Sequence, residues 1–177
     1  MSERWKPSVT VAGIIEQGGK FLLVEEETPE GLMLNNPAGH LELGESPEEA
    51  CIREVLEETA YSFTPEHLVG AYLSRFQRRK PHATQAMGAL DTPEALEDIT
   101  YLRFAFCGKL GAHNPKLDLD KGIVRTLWLD IEEIRASRSL HRSPLLLRCA
   151  EDFLSGQRFA LSSVRTDESV YRPLVRQ

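Results

Sequence analysis

The chain has 177 residues, 41% hydrophobic and 27% charged, which is the composition of one globular domain with a real core. A formal net charge of −6 lacks the broad positive surface that binds long nucleic acid, and no apolar run approaches the roughly 18 residues of a membrane span. The polar start carries no apolar secretion segment, and three scattered cysteines (Cys51, Cys107, Cys149) without zinc spacing fit reduced thiols in the cytoplasm.

Residues 9–15 and 21–24 are β-branched and aliphatic and meet across Gln17, Gly18 and Gly19, which predicts two strands and a tight turn. Residues 28–40 hold Pro29, Gly31, Pro37 and Gly39 and read as loop, with at most a short strand at 32–34. Ser46 as N-cap, Pro47 at the first helical position and Glu49 completing a capping box predict a helix over 47–59. Strands are expected at 68–76 and 101–110. The polar stretch 77–100 between them reads as an insertion with a short helix from Pro93. A strand at 123–129 leads to a short helix over 131–136. Ser143 and Pro144 then repeat the cap-then-proline start for a last helix reaching Leu154, stopped by Gly156. Residues 1–165 are thus expected to form one α+β domain, with 166–177 as a polar C-terminal tail.

The helix over 47–59 carries the chemistry. Glu57 and Glu58 follow Glu54 by three and four positions, so the three carboxylates share one face, while Ile52, Val55 and Leu56 fall on the other. Three like charges repel unless solvent or a cation separates them. Hard cations such as Mg²⁺ take oxygen ligands and commonly bridge to substrate phosphates. Because the chain is acidic, a bound cation is also the natural means of neutralising a phosphate substrate.

The helix lies in a longer string. Gly39, Glu45, Arg53, Glu54, Glu57 and Glu58, with Val55 as the bulky aliphatic, match the pattern G-x5-E-x7-R-E-U-x-E-E-x-G-U. A six-position chance match has a probability on the order of 10⁻⁷ per start site. Residues 39–61 therefore resemble the box of the Nudix hydrolases. They depart from it at Ala60, where glycine is usual, and at Tyr61, where an aliphatic is usual. Those two are expected to alter the helix end and to leave the chemistry intact.

The resemblance implies a mixed β-sheet sandwiched between helices, and a hydrolase in which metal-activated water attacks phosphorus in a phosphoanhydride. Glu54, Glu57 and Glu58 resemble metal ligands, joined by the Gly39 carbonyl, for Mg²⁺ with Mn²⁺ as a substitute. Glu45 resembles a position that either helps the metals or pairs with Arg53. Glu54, Arg53 and Glu57 are the residues expected at the reacting centre, Glu54 as general base and Arg53 as the group that orients carboxylates. Asp120, with Asp118 beside it, is the alternative base outside the box.

Residues 7–12, 19–26, 36–42, 101–106, 142–145 and 155–159 are similar to a bacterial phosphatase branch of that family. This implies nucleoside tri- and diphosphates as small-molecule substrates, with hydroxymethylpyrimidine pyrophosphate as another, and orthophosphate as product. The expected assembly is a monomer or homodimer. The substrate-binding candidates are Glu25, in the acidic run 25–27, as acceptor for an exocyclic amine, Asn36 with Asn35 beside it for a base or simply for the turn before Pro37, Arg103 for a terminal phosphate, and Asp120. Tyr72, Phe76, Phe104 and Phe106 are candidate stacking partners, each with core packing as its alternative. Two other readings stay open: hydrolysis of dinucleoside polyphosphates, nucleotide sugars or capped RNA, and a ligand-binding module without catalysis.

Overall fold

The structure is a computed structural model that describes residues 5–79 and 96–172. Strand β1 (Ser8–Ile14), the two-residue β2 (Glu16–Gln17) and β3 (Lys20–Thr28) follow in succession. Gly18 and Gly19 have φ of 60° and 83°, the left-handed pair that lets β2 reverse tightly into β3. The stretch expected as loop is instead two strands, β4 (Gly31–Asn35) and β5 (Ala38–His40). Its prolines sit between strands, where no ladder hydrogen bond is lost, while Gly31 opens β4 and Gly39 is the middle residue of β5. Helix α1 (Pro47–Thr59) begins as its residues dictate: the Ser46 hydroxyl accepts from the Glu49 N–H (3.2 Å), and the Glu49 carboxylate accepts from the Ser46 N–H (2.7 Å).

The next two strands are far longer than expected. β6 (Tyr61–Arg79) and β7 (Leu96–His113) pair antiparallel from Tyr61↔His113 to Arg79↔Leu96, with three register shifts in the first half of β6. Residues 77–79 and 96–100 of the expected insertion therefore extend this ribbon, while the helix expected from Pro93 begins outside the described residues. β8 (Ile123–Asp130) runs into α2 (Ile131–Ala136), capped by Asp130. α3 (Leu145–Leu154) starts with the Ser143 hydroxyl accepting from the Leu145 N–H and is followed by Gly156 at φ 86°. β9 (Phe159–Ala160) closes the sheet edge against β6.

The strands form a five-stranded sheet in the order β5-β1-β7-β6-β9, with β1 and β7 parallel, and a four-stranded antiparallel sheet in which β3 pairs with β2, β4 and β8. Alternation divides the core. Val11, Leu22, Leu68 and Phe106 pack on one side with Ala50, Cys51 and Val55 of α1. Ala12, Leu23, Val69 and Ala105 pack on the other with Ile134 of α2 and Leu146, Cys149 and Ala150 of α3. Strands covered on both faces read as nearly continuous apolar runs, as β1 and β3 do. All three cysteines are buried and free.

At the end of α1, Ala60 takes the left-handed conformation (φ 56°) that glycine usually supplies, and its N–H donates to the Leu56 carbonyl (2.8 Å). The helix end is thus an ordinary left-handed cap and not the altered one expected, at about 1–2 kcal/mol of backbone strain. The first part of the expected tail lies against the box: residues 168–171 form a single 3-10 turn, and the Tyr171 hydroxyl bonds the Glu49 carboxylate (3.0 Å). Among the described residues no helix is long and apolar enough to cross a membrane.

Candidate active site

Two short segments build the site. β5 ends at Gly39 and His40, and α1 presents its acidic face to them. Gly39 is required by proximity: a β-carbon there would overlap the Glu54 carboxylate. The glycine thus lets the Glu54 carboxylate approach the backbone closely. Glu58 lies deeper. It accepts from the Ala38 N–H (2.7 Å), and burial, ahead of every other influence, pushes its carboxyl up to about 9. Glu54 is also raised, again mainly by burial, with the Arg53 hydrogen bond opposing.

Arg53 organises this cluster. Its guanidinium donates twice to Glu45 (3.0 and 2.7 Å), to Glu54 (2.7 Å), to Glu57 (3.0 Å) and to the His40 carbonyl (3.0 Å). All five N–H donors of the side chain are used. Of the two roles expected for Glu45, its geometry here is that of Arg53's bidentate partner, which holds its carboxyl below the usual range. Arg53 in turn bonds both Glu54 and Glu57, the geometry that an orienting residue would have.

Glu54, Glu57 and Glu58 line an open cleft of about 510 Å³ together with Glu26, Asp120 and Lys121, whereas Glu45, paired with Arg53, does not line it. Asp120 reaches it because its N–H donates to the Glu57 carbonyl (2.9 Å), tying the loop before β8 to the helix. Asp118 does not line the cleft. Among the described residues no three acids or imidazoles already converge as a closed metal cage. The donor set nonetheless suits a hard divalent cation: carboxylates and a backbone carbonyl, with two of the carboxyl groups buried enough to be raised in pKa.

Beside the cleft, and sharing Glu26, Ala38, Gly39 and His40 with it, lies a more enclosed cavity of about 220 Å³. Its floor is one face of the five-stranded sheet, where Thr10 of β1 stands opposite Arg103 of β7. Asn35 of β4 and the segment at Arg142 and Ser143 complete the wall. Phe76 and Tyr101 stack across its rim (centroids 5.5 Å apart, 28° between planes), with His40 tilted against Tyr101 at 5.8 Å.

The expected substrate residues fall unevenly on this geometry. Arg103 lines the cavity and is buried, its charge disfavoured by that burial. Asp120 lines the cleft. Glu25 lines neither, because it faces Arg125 across the β3–β8 pair in a bidentate ion pair (2.8 and 3.2 Å). The cleft acid of that strand is its neighbour, Glu26. Asn36 likewise lines neither space, and the adjacent Asn35 does. Of the aromatic candidates only Phe76 lines the cavity. Phe106 is core, Phe104 packs beside it, and Tyr72 donates to Asp152 (3.1 Å). Of the run 25–27 and the pair 35–36 read from the sequence, Glu26 and Asn35 are the members that line the cavity, while Tyr101 and Arg142 were missed as site residues. Strand parity is the signal for Tyr101, which shares the face of Arg103.

The NUDIX domain family matches residues 4–149. The chain is 35% identical over 160 residues to the phosphatase NudJ of Escherichia coli (strain K12), covering 90% of this chain and 92% of that protein. The phosphatase NudJ of Shigella flexneri matches to the same extent. A NUDIX hydrolase from Nitrosomonas europaea superposes with a TM-score of 0.75 at 46% identity, over 92% of this chain and 98% of that one.

Proposed function

The chain belongs to the NUDIX family and is a hydrolase of pyrophosphate bonds, and from that premise we propose a Mg²⁺-dependent phosphatase of nucleoside tri- and diphosphates. The reading extends to the pyrophosphate of hydroxymethylpyrimidine, and it places the enzyme in the cytoplasm. The observation that carries it is the juxtaposition at β5: the acid cleft of Glu54, Glu57 and Glu58 and the more enclosed cavity share Ala38, Gly39 and His40 of that strand. A phosphate chain crossing β5 puts its anhydride against the carboxylates and its organic end in the cavity.

Glu54, Glu57 and Glu58, with the Gly39 carbonyl, are the residues that would hold the cation. When bound, a divalent ion neutralises phosphate oxygens and lowers the pKa of water. Arg53 keeps Glu54 and Glu57 in register by bonding both through one nitrogen while anchoring itself on Glu45 and the His40 carbonyl. Glu54 is the proposed base: its raised carboxyl pKa makes it a better proton acceptor than an ordinary surface carboxylate. Water oxygen bonds to the terminal phosphorus as the bridging P–O bond breaks. The proton goes to Glu54, and orthophosphate leaves with the shortened nucleotide. Asp120 stands within the same cleft as the alternative acceptor.

The test is product analysis with Mg²⁺ on nucleoside tri- and diphosphates, dinucleoside polyphosphates and hydroxymethylpyrimidine pyrophosphate. Orthophosphate release from the simple nucleotides is the expected result. Two nucleotide products from one substrate, with no orthophosphate, would replace this reading with that of a dinucleoside polyphosphate hydrolase.

A further inference from the structure

Among the described residues seven buried side-chain polar atoms lack a hydrogen-bond partner, and six of them belong to residues lining the more enclosed cavity. They are Arg103 Nε and Nη1, Glu26 Oε1, Asn35 Oδ1, Thr10 Oγ1 and Ser74 Oγ. Each such atom costs roughly 1–3 kcal/mol when left unpaired. A cluster of them in one cavity is therefore a set of bonds awaiting a ligand. Arg103 and Asn35 are each 7% exposed and Thr10 5%, so this is a built interior site and not a surface patch.

The chemistry of the six atoms selects among ligands. Arg103 offers only donors, while Glu26 Oε1 and Asn35 Oδ1 offer only acceptors, and the two hydroxyls can do either. A phosphate satisfies the arginine but, ionised, has no hydrogen for Glu26 or Asn35, and it would be repelled by the carboxylate. Arg142 pairs with that carboxylate only as an ion, its Nε 3.8 Å away and beyond hydrogen-bond reach, so the lone pairs of Glu26 Oε1 stay open for a donor. The ligand that fits presents acceptors and N–H donors on one molecule. The Phe76–Tyr101 stack at the rim favours a flat one. The volume, about 220 Å³, lies below the roughly 300–1,000 Å³ of pockets that enclose a whole drug-sized ligand. It suits a ring whose sugar and phosphates lie outside, toward the acid cleft.

We propose that Arg103 and Glu26 are the specificity-determining pair of this enzyme, reading the acceptor and N–H edges of a nitrogen heterocycle, so that Arg103 binds the ring and not a phosphate. The proposal rests on the phosphatase reading above and assigns the end of the substrate that the reaction leaves unchanged. Leaving either member without its partner penalises a substrate that lacks the ring.

The experiment compares kcat/KM, with Mg²⁺, for the four nucleoside triphosphates and for ribose 5-triphosphate, which has the same phosphates and no ring. In the intact enzyme the best nucleotide is expected to exceed the abasic compound about 10–100-fold. Arg103→Met and Glu26→Gln are each expected to bring that ratio to within about threefold of unity. Calorimetric binding of nucleoside monophosphates against ribose 5-phosphate, without metal, should show the same loss of discrimination. A ratio near unity in the intact enzyme overturns the inference. So does a loss in Arg103→Met that is equal for both substrates, which would make Arg103 a phosphate ligand. If no triphosphate is hydrolysed, the phosphatase reading fails, and the binding comparison still decides the role of the cavity.

Discussion

Arg53 lines the cleft and Arg103 the cavity that meet along β5, and the two are used in opposite ways. Arg53 spends every N–H on a protein acceptor, so the acid cleft is a finished lattice before substrate arrives. Arg103 is more deeply buried, yet two of its nitrogens have no hydrogen-bond partner among the described residues. A paired arginine fixes geometry for chemistry that is the same for every substrate. An unpaired one leaves its bonds to be completed by the part of the substrate that varies. The two regions therefore divide the work: the cleft is preorganised, and the cavity is selective.

The largest effect expected breaks the cleft side. Glu57→Gln or Glu58→Gln should lower kcat with Mg²⁺ roughly 10²–10⁴-fold, from the several kcal/mol of charge stabilisation lost. The thermal midpoint should hardly move, since an amide oxygen at position 58 can still accept from the Ala38 N–H. Near-normal turnover in either variant would remove these residues from the site. Gly39→Ala should follow, at about 10²-fold, because the added methyl displaces the Glu54 carboxylate on the order of an ångström. An active Gly39→Ala enzyme would mean that Glu54 can do its work from elsewhere.

Arg53→Lys comes next, with activity reduced about 10–100-fold, as for other residues that act by orienting ligands. A lysine keeps the charge but cannot hold Glu45, Glu54, Glu57 and the His40 carbonyl with one planar fork. Full activity in the lysine variant would show that charge alone suffices. The smallest effect concerns stability on the cavity side. Arg103→Met should raise resistance to urea by about 1–3 kcal/mol, since it removes a buried cation with unmet donors. A loss of stability instead would mean that Arg103 is already satisfied in the free protein, and the contrast between the two arginines would collapse.

The cleft was legible in the sequence for a physical reason. Its residues lie within twenty positions of one another, and helix periodicity with a capping box at Ser46 and Glu49 fixes their relative directions locally. The cavity was only half legible because its walls come from six strands and the segment before α3. In β3 the pairing with β8 shifts register between Glu25 and Glu26, and no local rule says on which side of such a shift an acid will face. Asn35 and Asn36 pose the same one-residue choice at a strand end. Arg103 reads as surface by residue type, although it shares parity with Ala105 and Cys107, both buried in the core. Parity could have outweighed type there. The strands in 28–40 were obscured by the prolines and glycines in and between them, and the length of β6 and β7 by their polar distal halves.

The parallel pairing of β1 with β7 has a consequence in time as well as in space. Thr10 and Arg103 become neighbours only when the two strands meet across nearly a hundred intervening residues, a closure that is slow because its entropy must be lost before the contacts reward it. β5, which carries Gly39 to the acid helix, pairs with β1 as well. Cleft and cavity therefore share one late step of folding, so an open β1–β7 seam leaves a chain with neither a selective nor a chemical half. Refolding followed by nucleotide binding and by hydrolysis should then give a single rate.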